Sequence, residues 1–162
     1  MKKIISLLSV GVVLITLSAC HQKPIKSVVT SVIKSEKQKV SSLELLPLSE
    51  HPRTGRNEIE LIGRKWYADS ENILTRNELA SLSFVRNDKG NEFLQILPNK
   101  QGQNKIYNAL RNKDNYILMI LDGRAISLSE LNSQKVLPFY VGDSNATIKV
   151  AEDITQKTLS GR

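Results

Sequence analysis

Residues 116–121 read YILMIL, apolar at every position, and Asp122-Gly123 follows at once. A strand with one wet face alternates polar and apolar side chains, so an unbroken apolar run needs cover on both faces. Asp-Gly suits the positive φ angles of a tight two-residue hairpin turn. These residues commit the chain to a sheet with 116–121 near its middle and a returning strand over residues 124–128.

Other segments supply neighbours. Residues 58–63 (EIELIG) alternate polar and apolar, as a half-buried strand does. Residues 82–86 and 93–97 flank Asn87-Asp88-Lys89-Gly90, whose turn residues predict a second hairpin, with Pro98 ending it. Residues 74–79 suit a short helical or turn segment, and residues 136–141 a further strand. Residues 100–112 place Ile106, Tyr107 and Leu110 on one helical face. Gly142-Asp143-Ser144-Asn145 offers a turn and an N-cap to a last helix running to Thr158, with Ile148, Ala151 and Ile154 as its apolar stripe. The sum is an α+β fold, a mostly antiparallel sheet with about two helices packed on one face.

The first twenty residues are of another kind. Lys2 and Lys3 precede an apolar stretch over residues 4–15, too short to span a bilayer comfortably, and Leu17-Ser18-Ala19-Cys20 follows. Positive start, apolar stretch and small residues together make a secretion signal. Leu17-Ser18-Ala19-Cys20 resembles the lipobox of bacterial lipoproteins. The resemblance implies cleavage before Cys20, a diacylglyceryl group on its thiol and acylation of the new amino group. Two or more acyl chains hold a protein stably on a membrane, where a single chain binds only marginally. Cys20 is the only cysteine, so its lipidation leaves no thiol for a disulfide or a metal. In a Gram-negative host His21 stands where an Asp would mark retention at the inner membrane. That sorting pattern implies the outer membrane, facing the periplasm.

Three regions follow: a signal peptide over 1–19, a lipidated basic tether over 20–57 and a globular domain over 58–162. The tether carries Pro24, Pro47, Pro52 and Gly55, and Val28, Val29, Val32, Ile33, Val40 and Leu43 form one weak helical stripe. The formal net charge is +7, and its placement decides its meaning. Residues 21–57 hold seven Lys and Arg against three Glu; residues 58–162 hold fourteen against thirteen acidic residues. The surplus lies beside the anchor, where it suits anionic head groups or a solvated tether. A nearly neutral exported domain excludes nucleic acid as a partner.

No constellation for catalysis stands out. His21 and His51 both lie in the tether, so a Ser-His-Asp arrangement would need His51 to fold back onto the domain. Two His without a free Cys do not complete a usual zinc set, so no metal or cofactor is expected. Asp122, Asp143 and Asn145 are explained by turns and caps. Two aromatic patches are candidate surfaces. Val136, Phe139 and Tyr140 surround Pro138, which favours a sheet edge able to accept an added strand, although Phe139 also suits the core. Lys65-Trp66-Tyr67 either presents an aromatic pair on a loop or buries Trp66 under the sheet.

The order of these strings resembles the head subdomain of the first periplasmic domain of SecD, the protein-export membrane protein. The residues concerned are 73–81 (ILTRNELAS), the hairpin over 83–97, the helix opened near Gly102, 120–127 (ILDGRAIS) and 146–154 (ATIKVAEDI). A Gly pair usual before the last helix is reduced here to Gly142, and the membrane helices of SecD are absent. The resemblance implies a module that contacts polypeptides or partners, detached from its motor and tied to lipid. The expected function is a non-enzymatic, membrane-anchored envelope lipoprotein binding a protein partner or extended polypeptide, linked to protein export or envelope biogenesis. The alternative is a structural or accessory lipoprotein binding cell-wall glycan or a lipid-linked polymer.

Overall fold

The computed structural model describes residues 41–159; the expected signal peptide, Cys20 and most of the expected tether lie outside the described residues. The strands are β1 (Leu43–Ser49), β2 (Asn57–Leu61), β3 (Arg64–Ala68), β4 (Leu74–Thr75), β5 (Leu79–Arg86), β6 (Glu92–Pro98), β7 (Tyr116–Leu121), β8 (Arg124–Glu130) and β9 (Leu137–Phe139). Helix α1 spans Lys100–Arg111 and α2 spans Ser144–Thr155. The strands form two antiparallel sheets rather than one. The larger runs β2-β3-β1-β7-β8, with β4 sharing one edge of β1, and the smaller runs β5-β6-β9.

As its composition required, β7 lies inside the larger sheet, between β1 and β8. Its alternate residues serve two apolar clusters. Ile117, Met119 and Leu121 face a core shared with Leu94, Ile96, Leu137 and Phe139 of the small sheet and with Ile106, Ala151 and Ile154 of the helices. Leu118 faces the other way, with Leu46, Leu48, Trp66 and Ala68. Trp66 is buried in β3, its ring edge-on to Tyr116 at 4.9 Å, and its Nε1 donates to the Leu61 carbonyl. That overturns the exposed-loop option for Lys65-Trp66-Tyr67 and supports burial.

The folded unit starts earlier than residue 58. β1, assigned by its sequence to the tether, pairs with β7 from Leu43 to Leu48 and is buried at all but one position. Pro47 argued against a central strand because it removes a ladder donor. The structure resolves that conflict. The Pro47 carbonyl accepts from Asp69 N, so its backbone polar edge faces away from β7. That side is shared by β4 at Glu44 and Leu45 and by β3 at Leu48 and Ser49. Pro47 lies opposite Asp69 at the end of the β3 pairing, where its missing N–H forgoes only the reciprocal bond to Asp69 and leaves the β7 ladder intact.

Both helices form near their expected positions. Asn99 caps α1 by accepting from Gln101 N and Gly102 N, and Asp143 caps α2 by accepting from Ala146 N. Tyr107, expected on the buried face of α1, is instead half exposed with the Arg111 guanidinium 5.8 Å over its ring. The buried stripe of α2 is Thr147, Ala151 and Ile154, and Ile148 is only half-buried. The helix stops at Thr155, before Thr158, because Gln156 turns into the left-handed region at φ +58.

Candidate functional site

The small sheet has two edges, and its sequence drew attention to β9. The structure places Val136 half-buried just before that strand, buries Phe139 fully in the core, and leaves Tyr140 51% exposed with its ring 5.6 Å from Phe93. β9 is at an edge, as Pro138 suggested, but it offers little to a partner. It is three residues long, and the Tyr140 carbonyl beyond it already accepts from the Ser127 hydroxyl of β8 at 2.8 Å.

β5 is the more open edge. It has eight residues and no proline, and among the described residues it pairs only with β6. Asn87 N donates to Asn91 O across the turn, so Asn87 points into the ladder. Backbone groups alternate sides along a strand. Ser81, Ser83 and Val85 therefore face β6, while Leu82, Phe84 and Arg86 turn their N–H and C=O groups outward. These outward groups have no backbone partner among the described residues. Phe84 and Val85 are each 41% exposed.

A groove of roughly 240 Å³ runs beside the first half of this edge, lined by Leu79, Ala80, Ser81 and Leu82 on one side and by Ile154 and Thr155 of α2 on the other. Arg76 closes one end. Its guanidinium donates to the carbonyls of Ile154 and Ser41, both at 2.6 Å, which occupies it with backbone and keeps it rigid. Lys157 lines the groove and Arg86 stands at the far end of β5, so the edge suits an apolar segment with an acidic residue beside it.

The approach to β5 is locked from the other side. Thr75 and Glu78 form a capping box around the 3-10 turn at Arg76–Glu78, and Lys105 of α1 reaches Glu78 Oε1 at 3.0 Å and the Ile73 carbonyl at 2.8 Å. Burial alone would raise the Glu78 carboxyl, but the Thr75 hydroxyl and N–H and then Lys105 pull it down to about 2. Gly102 makes this contact possible. A Cβ there would lie 2.6 Å from the Glu78 carbonyl oxygen and 2.9 Å from Pro98 Cβ.

At another place on the domain Arg56 bridges two buried carboxylates, Asp69 and Asp114, beneath an open polar cleft of roughly 510 Å³ beside Arg53, Glu71 and Asn112. Asp69 also accepts from Glu71 N and Asn72 N. Burial pushes Asp114 up, against the pull of Arg56 and Arg53. Nothing in the sequence pointed to this trio, because its members are joined only by the fold.

His51 is exposed, and among the described residues no three His, Cys, Asp or Glu converge as a metal site. No helix among them is long and apolar enough to cross a membrane. Compared with protein-family models, curated proteins and solved structures, the chain matches none.

Proposed function

We propose that this chain is a lipid-anchored lipoprotein of the bacterial envelope whose folded unit binds an extended polypeptide as an added strand on β5. The anchor rests on the signal and Cys20. The binding rests on one observation: an eight-residue, proline-free edge whose outward backbone groups have no backbone partner among the described residues, beside a mainly apolar groove. Main-chain hydrogen bonds give such a site its affinity, and the groove sorts side chains. Evolved sheets usually blunt a free edge with proline or a bulge that twists it away. Here the one irregularity, between Leu79 and Ser81, leaves residues 82–86 in regular pairing.

The proposal does not depend on the SecD likeness. Its test is a titration of the unlipidated domain with a reduced, alkylated and permanently unfolded protein. Phe84→Pro removes an outward donor without touching the β6 ladder. Binding should weaken at least tenfold while the melting temperature stays within a few degrees. Unchanged binding by the variant, or no binding by the parent domain, would contradict the proposal.

A further inference from the structure

The two tight hairpins of the larger sheet have nearly the same sequence, Leu61-Ile62-Gly63-Arg64 and Leu121-Asp122-Gly123-Arg124. In each, the leucine pairs with the arginine across a two-residue turn. Their φ angles match: +54 and +67 in the first, +50 and +74 in the second. Asp122 suits this geometry and also has a structural role, accepting from Ser42 N at 2.8 Å. Ile62 has neither property. A β-branched residue with positive φ is a genuine outlier, and this one is 83% exposed, more than any other large apolar side chain described. Trp66 Nε1 on the Leu61 carbonyl ties the hairpin together, so the tip is held outward rather than folded onto the domain.

We infer that Ile62 is a docking knob that inserts into an apolar socket on a folded protein partner. Local strain at an exposed apolar residue has no benefit within this fold, and such outliers cluster where binding uses them. The surroundings favour a protein over a lipid surface. Lys65 is paired with Glu58 at 2.8 Å and stands opposite exposed Glu60, and Arg64 approaches Glu50 at 3.9 Å, so three acids face two bases around the hairpin. Anionic head groups find no basic surplus here, whereas a socket with a basic rim is complementary. The tip also lies beyond the Ser49 end of β1, opposite the end where Ser42 meets Asp122.

The sister hairpin provides the control. A photo-crosslinking residue at position 64 or at position 124 is introduced into the full chain in intact cells, with Ile62 kept or changed to asparagine. Position 64 should yield one discrete protein adduct that falls at least tenfold with Ile62→Asn, and position 124 should yield none. The purified Ile62→Asn domain should melt several degrees higher, because asparagine relieves the turn. Lipid adducts alone, equal adducts from both tips, indifference to Ile62→Asn, or no adduct would each overturn the inference. So would a lower melting temperature, which would make Ile62 a structural residue.

Discussion

The guanidinium of Arg56 donates to the Asp114 carboxylate at 2.9 Å across 58 residues of sequence, and the same guanidinium pairs with Asp69. It joins the start of β2 to the exit of β3 and to the loop entering β7. Removing one partner from a buried ion pair leaves the others uncompensated, at about 3–5 kcal/mol. Arg56→Met should therefore destabilise the domain by about that much in urea denaturation. Asp114 adds a pH dependence. Its folded carboxyl binds a proton more readily than the unfolded one, so stability is lost as pH rises from the ordinary aspartate value through the raised one. Asp114→Asn, measured at pH 4 and pH 7, should gain on the parent domain as pH rises.

Glu78 behaves in the opposite sense. Its carboxyl is held at about 2, below its ordinary value of 4.5, so its contribution is complete above 4.5 and disappears as pH falls toward 2. Glu78→Gln should cost roughly 2–3 kcal/mol at pH 7 and almost nothing near pH 2. Denaturant titrations at both pH values check this.

Gly102 separates helix propensity from packing. Alanine is the better helix former by about 1 kcal/mol, yet its Cβ would collide with the Glu78 carbonyl and Pro98. Gly102→Ala should lower stability by about 1–3 kcal/mol, the usual range for overpacking. A rise in melting temperature would show that α1 can shift away without loss.

On the proposed lipidation, Cys20→Ser should move the full chain from the membrane fraction to the soluble fraction and abolish incorporation of labelled palmitate. Retention at the membrane would assign the anchor elsewhere.

The elements most legible in the sequence were those with local signatures. YILMIL required cover on both faces and has it, and Asp122-Gly123 and Asn87–Gly90 mark hairpins where turn chemistry demands them. β1 is not legible because its leucines serve both faces without polar alternation, and Pro47 is acceptable only because its nitrogen faces away from β7, at the end of the β3 pairing. β5 begins at Leu79, not Leu82, because an irregularity between Leu79 and Ser81 breaks the period-two pattern. For the site, Pro138 did indicate an edge, but which edge is freer depends on the strand order β5-β6-β9 and on the Ser127 contact, both tertiary facts. Ile62 was visible only as part of an alternating string; its positive φ and its exposure come from the folded hairpin.

Strand addition depends on which amides of β5 are free. Leu82, Phe84 and Arg86 should exchange their amide hydrogens rapidly in the isolated domain, and Ser81, Ser83 and Val85 slowly, since the latter are in the β6 ladder. Residue-resolved hydrogen exchange with and without saturating unfolded polypeptide tests this directly. Strong protection of Leu82, Phe84 and Arg86 on binding, with little change at their neighbours, is the predicted result. Binding that leaves those three amides exchanging as before would contradict strand addition at this edge.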